Sequence, residues 1–467
     1  MYRKQYYVQL AFEDFDQPLG LTMNPQNRWV KKAEMIPWSE LEQDYAKLFK
    51  NKKGNIAKPF RMAFGSLLIQ TEYSYSDEET VAQIQENPYL QFFIGLSGYQ
   101  QEKPFDSSTM VYFRKRLTPE NLQEINDKII AYHNSEHDSD DDGNHHGTLM
   151  LDATCVPSNI KYPQDVELLN DARKHSEELI DELCQEYHLT KPRTNRRQAR
   201  RAYLAFAKTK KRTRKIRRTH AKKLSRFVTK NLKSLNQLLA QGAQLNAHQS
   251  VVYATIQQIT EQQLWMLTHQ TPTVPQRIVS FHQPFIRPIV RGKAKSPTEF
   301  GAKLDLSQSD GFVRIECLSF EAFNESTDFI PAVIRYKERT GAYPKRVLVD
   351  KIYRTRENIA YCKERGIRLT GPKLGRPPKE VDVEKLKQGR EDERDRIQIE
   401  REISLAKRCH GMGLVRTKLK ETTFTAIHLA IISLNLKKIQ RDFLCALFQK
   451  ITRLFFSYIE NRLVIIH

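Results

Sequence analysis

The chain has 467 residues, 39% of them apolar and 10% aromatic, enough to build two or three packed domains and too apolar for a disordered polymer. Its six cysteines (Cys155, Cys184, Cys317, Cys362, Cys409 and Cys445) form no CxxC pair and no Cys/His cluster, so neither a disulfide framework nor a zinc site is expected and a reducing cytoplasm is the expected home. No stretch approaches the roughly 20 apolar residues of a membrane span, and a net charge of +21 points to an anionic partner.

Residues 1–133 read as one helical domain. "SELEQDYAKLF" and "SDEETVAQI" each open on a capping-box pattern, Ser39 to Glu42 and Ser76 to Glu79, and Thr118 precedes Pro119 as a helix N-cap should. The polar run "NSEHDSDDDGNHHG", residues 134–147, has the composition of an acidic linker. Asp138, Asp140, Asp142 and Gly143 imitate the start of a calcium loop, but the position that needs a bidentate glutamate holds Leu149.

"TLMLDATCV" follows, an apolar strand that Asp152 is expected to end. From about Val166 to Thr268 the pattern is helical, with Asp165 as N-cap. Between 191 and 233 this region carries 19 Lys and Arg and no Asp or Glu, which leaves about +2 for the rest of the chain. Such a block is tolerated against a polyanion, because each neutralised phosphate also releases counterions. The candidate DNA contacts here are Arg196, Arg197, Arg200, Arg201, Lys210, Lys211, Arg212, Arg214, Lys215, Arg217 and Arg218.

From residue 277 short β-like runs return: "RIVSFH", "FGAKLDLS" and "FVRIECLSF", then a helix at "FIPAVIRYKERTG" and a strand at "RVLVDK". The simplest topology is a mixed α/β domain over 148–440, interrupted by a basic helical insertion over 166–275. "GIRLTGPKLGRPPKE" reads as a loop, and the chain is then helical to its end, with a final helix over 441–467.

Two strands, "LMLD" and "VLVD", each present an aspartate at their C-terminal end, Asp152 and Asp350. A lone strand-end aspartate most often caps the following turn; two in one sheet beside a basic insertion suit phosphodiester chemistry, in which oxygen ligands hold hard cations. "RIQIEREISLAK" can supply a third carboxylate. At 100° per residue Arg396, Glu400 and Lys407 lie within about 40° of one another, and Glu402 lies well away. Glu400 borders the apolar stripe of Ile399, Ile403 and Ala406; the competing reading is an Arg396–Glu400 surface pair.

In these stretches the chain resembles the bacterial insertion-sequence transposases of the DDE type, with an RNase H-like core. "LDATCVPSNIKYPQDVELLNDAR" and "VLVDKIYRTRENIAYCKERGIRLTGPKLGRPP" look like the segments around the family's two aspartates. "RPIVRGKAKSPTEFGAKL" also matches, and "SDEETVAQIQENPYLQFFIGL" resembles the family's helical front domain. The family signature of Tyr, two residues, Arg, three residues, Glu, six residues, Lys fits Arg396, Glu400 and Lys407, whereas its tyrosine position holds Glu393; many relatives have Asn and Gly where this chain has Ile397 and Arg401. The resemblance implies that Asp152, Asp350 and Glu400 are catalytic and hold two Mg2+ ions, for which Mn2+ can substitute. It implies that Arg396 and Lys407 position phosphate and that Tyr353, Arg354 and Arg356 contact DNA near the site. Double-stranded DNA, as element ends and as target, is the implied partner, with no membrane and a homodimer in the active complex; the alternative is a catalytically inactive, transposase-derived DNA-binding protein.

Overall fold

The computed structural model describes residues 2, 11–49, 55–134, 145–290, 298–371 and 383–464, without the side chains of 385, 386, 446–451 and 453–464. The calcium-loop-like aspartates, the run 291–297 and the Pro-rich 372–380 lie outside the described residues. The chain divides into two units, Met1–Val156 with Lys303–Leu318 and Phe323–His467, and Pro157–Ala302 with Ser319–Ala322.

In the first unit the helices are α1 (Arg28–Glu34), α2 (Trp38–Lys47), α3 (Phe60–Tyr73), α4 (Asp77–Glu86), α5 (Pro88–Phe93), α6 (Thr109–Arg116) and α7 (Pro119–Asn134), followed by strand β1 (Thr148–Pro157). Two of the expected caps form: Ser76 accepts from the Glu79 N–H at 3.1 Å and Thr118 from Asn121 at 3.4 Å. Ser39 does not cap, because α2 already begins at Trp38. Its partner Glu42 is instead buried and accepts the Phe60 N–H at 3.0 Å, satisfying an orphan donor in the first turn of α3.

In the second unit stand α8 (Asp165–Glu186), α9 (Arg196–Ala207), α10 (Arg214–Ala240), α11 (Ala247–His269) and strand β2 (Arg287–Val290). Helices α8, α10 and α11 pack on one another around Leu169, Leu224, Val228, Ile256 and Ile259. Asp165 is the first residue of α8 rather than its cap, and it pairs with Arg277 at 2.8 Å. "RIVSFH", expected as a strand, is irregular chain. Ile278 is buried there, and the Gln262 side chain takes the place of a neighbouring strand, accepting from Ile278 N at 2.7 Å and donating to its carbonyl at 2.9 Å.

The remaining elements are β3 (Thr298–Ser309), β4 (Phe312–Ser319), α12 (Glu325–Thr340), β5 (Arg346–Leu348), α13 (Arg356–Glu364), β6 (Arg368–Leu369), α14 (Val383–Cys409) and α15 (Lys420–Val464). Sequence periodicity misses β2 and β6, which are too short to show an alternation. Within the first unit the strand order is β4-β3-β1-β5-β6, with β1–β5 and β5–β6 parallel. Asp310 and Gly311 join β3 to β4 with φ of 53° and 76°, the two positive values that a tight primed hairpin turn requires. The fold class is therefore the expected one: a mixed, RNase H-like sheet flanked by helices, with an all-helical front and a basic helical insertion.

Leu149, Leu151, Val347 and Val349 point to one face of the sheet and pack under Phe329, Ala332, Val333 and Tyr336 of α12. Strand alternation sends Asp152 and Asp350 to the opposite face, the side chains of α14 being packed on β5 and α15. Helix α15 also lies on α3 and α7, where Leu429, Ile432 and Leu436 join the core of the front helices. Asn435 fastens this contact: its side chain accepts from Val313 N at 2.9 Å and donates to Val313 O and Asn126 Oδ1 at 2.8 Å. Asn435→Leu should cost about 2–4 kcal/mol, since it strands buried polar groups while keeping the volume; a denaturant midpoint equal to wild type would contradict that.

Candidate catalytic carboxylates and basic helix

Strand β1 runs past Asp152 to Pro157, so this aspartate lies within its strand rather than at its end. The short partner is β5, which stops at Leu348. The parallel register pairs Thr148 with Arg346 and Met150 with Leu348. Continued by two residues, it sets Asp152 level with Asp350 on the same face. Asp350 is exposed and opens a 3-10 turn over Lys351–Tyr353, its carboxylate accepting the Lys351 N–H at 2.6 Å.

Helix α14 brings the other charges. Arg396 Nη1 is 2.8 Å from Glu400 and its Nη2 2.9 Å from Glu393, with only 15% of the arginine side chain exposed. Glu393, at the signature's tyrosine position, thus holds the signature arginine by an ion pair and raises its pKa. Ile399, Ile403 and Ala406 are buried as the periodicity requires. Half-buried Lys407 follows Glu400 by seven residues on the same helix face, about 10 Å along the axis. Glu402 is buried toward α15, where Arg441 and Lys438 act on it and burial lifts its pKa.

Burial pushes the Asp152 carboxyl up to about 6, with Arg396 opposing that rise and the like charge of Glu400 adding to it. The structure therefore brings Asp152, Arg396 and Glu400 into one electrostatic neighbourhood. Asp350 comes level by register, with its carboxylate engaged by its own turn. Among the described residues, no three His, Cys, Asp or Glu side chains stand together so as to hold a metal ion. The donor chemistry of Asp152 and Glu400, two hard oxygen ligands whose charges repel, fits a hard divalent cation.

Asp152 yields a stability prediction. A carboxyl whose folded pKa is raised from 3.8 to about 6 stabilises the fold only while protonated. Its contribution is present below about pH 4, is lost as the pH rises through 6, and amounts to about 3 kcal/mol of penalty above that. In metal-free protein Asp152→Asn should therefore melt higher than wild type at pH 8 and lose that advantage at pH 4. A difference independent of pH in thermal melts would show that the carboxyl is not perturbed in this way.

The residues after Asp350 differ in what they meet. Tyr353, an expected DNA contact, is fully buried and donates to Asp305 at 2.7 Å, a packing role. Arg354 donates to the carbonyls of Leu369 and Thr370 at 3.0 and 2.9 Å, tying the turn to β6. Arg356 is exposed at the start of α13.

In the second unit Arg197, Arg200, Arg201, Lys210, Lys211 and Lys215 are exposed. Other candidates partly serve the fold: Arg196 pairs with Asp181 at 2.6 Å and Arg212 with Gln164 at 2.8 Å, while Arg214, Arg217 and Arg218 reach the backbone carbonyls of Gln270, Arg212 and Leu267. Reading the block by its arginine-dense first half passes over the rest of α10. Lys215, Lys222, Arg226, Lys230 and Lys233 are all exposed and lie within about 80° of one another, a basic stripe about 27 Å long. The opposite face, Ala221, Leu224, Val228, Leu235 and Leu238, is buried. The i, i+4, i+8 spacing of 222, 226 and 230 was the available signal.

Residues 347–437, which include Asp350 and Glu400, match the family model described as "Transposase DDE domain". Residues 21–116, within the front helices, match "Transposase domain (DUF772)". Among curated proteins the chain is similar to "Uncharacterized protein ORF8 in nfe locus" of Rhizobium meliloti, 35% identical over 111 residues, which are 24% of this chain and 53% of that protein. The chain thus spans about half the length of that relative. No solved structure matches. Among the described residues no helix is long and apolar enough to cross a membrane. Two segments of the chain, one in the front helices and one running from β5 into α15, are thus similar to transposase domains, the second to a transposase DDE domain.

Proposed function

We propose that this chain is a DNA transposase that binds the terminal inverted repeats of its own insertion sequence, cuts a strand there and joins the freed 3′ end to target DNA. The observation that carries the reading is the grouping of Asp152, Arg396 and Glu400, with Asp350 level across the parallel strands. Asp152, Asp350 and Glu400 are the residues that would hold two Mg2+ ions, or Mn2+ in their place. When bound, such ions supply Lewis-acid activation of the attacking oxygen and neutralise charge at the leaving one.

The chain's own groups do the rest. In the cut, a water oxygen bonds to phosphorus, the 3′ oxygen leaves with a proton, and a 3′-hydroxyl remains. In transfer, that hydroxyl oxygen replaces another ester oxygen on target DNA, so one P–O bond forms for each that breaks. Arg396 and Lys407 lie on the Glu400 face of α14 and position phosphate, Arg396 also orienting Glu400. The front helices and the basic helices α9 and α10 bind double-stranded DNA through its phosphates. Joining two ends calls for a homodimer in the active complex, working in the cytoplasm at the nucleoid.

The test is Mg2+- or Mn2+-dependent cleavage of a plasmid carrying the DNA that flanks this gene. Cuts at the flanking ends followed by 3′-end transfer support the reading. Salt-sensitive binding with no cleavage by wild type would favour a catalytically inactive, transposase-derived DNA-binding protein, a reading that Glu393 in the signature's tyrosine position keeps specific.

A further inference from the structure

The turn that carries Asp350 is exposed at Asp350, Lys351 and Ile352, and only Tyr353 goes inward. Its phenol donates to Asp305 Oδ1 at 2.7 Å, and both residues are fully buried. Asp305 stands on β3, which is separated from β5 by β1 in the sheet. The backbone of Tyr353 is held as well: Asn358 Nδ2 donates to its carbonyl at 2.8 Å and to that of Ser326, on α12, at 3.0 Å.

An aspartate is an expensive choice for that position of β3. Neighbours Leu304 and Leu306 are fully buried, and Asp305 leaves Oδ2 without a hydrogen-bond partner. Burial foremost, with the acidic Asp328, Glu325 and Glu316 adding to it, pushes its carboxyl up to about 8 against the hydrogen bond from Tyr353, which favours the charged form. A valine would fill the strand without this cost; what the aspartate adds is an acceptor for Tyr353.

We propose that the Tyr353–Asp305 hydrogen bond is a positioning device for Asp350, anchoring its turn to the sheet and so setting the carboxylate level with Asp152. This rests on the reading of Asp350 as a metal ligand. All that the device needs at position 305 is an acceptor for the Tyr353 hydroxyl.

Two measurements on the full chain test this: Mn2+ affinity by calorimetry, and amide hydrogen exchange over residues 350–354 in metal-free protein. The variants are Tyr353→Phe, Asp305→Asn, Asp305→Leu and Asp350→Asn. Tyr353→Phe and Asp305→Leu should each weaken Mn2+ binding about tenfold, the usual size for a group that orients a ligand, and speed exchange in the turn with the circular dichroism unchanged. Asp305→Asn keeps an acceptor and should stay within about twofold of wild type in affinity, with native exchange. Wild-type affinity and exchange in Tyr353→Phe would overturn the proposal, as would Asp305→Asn falling as far as Asp305→Leu. Should Asp350→Asn bind Mn2+ as well as wild type, the ligand reading fails instead, and the exchange data still decide whether the pair holds the turn.

Discussion

Glu400→Gln is expected to lower strand cleavage at least about a thousandfold while leaving DNA affinity near wild type, and Asp152→Asn and Asp350→Asn should do the same. Removing one carboxylate from a site proposed to hold divalent cations should remove several kcal/mol of stabilisation of transition-state charge, and each 1.4 kcal/mol is about a factor of ten in rate. The control is Glu402→Gln. Glu402 is two residues from Glu400, but it is buried against α15, where Arg441 and Lys438 act on it, and it does not appear among the charges acting on Asp152. Glutamine preserves its shape and removes a carboxylate that burial already disfavours in its charged form, so cleavage should persist. Single-turnover assays on end-containing DNA, with affinity measured in Ca2+, separate the two variants; equal loss in both would remove Glu400 from the site.

The second large effect is on binding. Changing Lys215, Lys222, Arg226 and Lys233 to glutamine removes four charges from one exposed line of α10 and leaves its buried face untouched. If each neutralises one phosphate, the slope of log K against log salt should become shallower by about 3 to 4, and affinity near physiological salt should fall on the order of a hundredfold or more. The loss should be the same for element ends and unrelated duplexes, because phosphate contacts position DNA without reading its bases. An unchanged salt slope, in a variant with wild-type helicity, would mean that this face meets something other than DNA.

Much of the architecture was legible because local rules decide it. The caps at Ser76 and Thr118, the stripe of Ile399, Ile403 and Ala406, and the apolar runs of β1 and β3 each depend on a few neighbouring residues. The failures share a cause. Ser39 has the right neighbours for a cap, yet Glu42 is taken by the distant N-terminus of α3. "RIVSFH" has the composition of a strand, yet a glutamine from α11 satisfies its backbone. Strands β2 and β6 are set by their partners in the sheet, since four and two residues carry no period of their own.

The candidate site divides along the same line. Sequence alone determined the residue types: a basic block without a single acid, two aspartates in apolar strands, and Arg396, Glu400 and Lys407 on one helix face, because charge and helical periodicity are properties of the chain itself. The tertiary structure decided what each meets. Parallel register aligns Asp152 with Asp350, helix packing brings Glu400 into the field of Asp152 and turns Glu402 toward α15, and burial sets Tyr353 against Asp305. These outcomes depend on residues about 40 to 250 positions apart, and only the folded chain brings such residues within the short range over which hydrogen bonds and unscreened charges act.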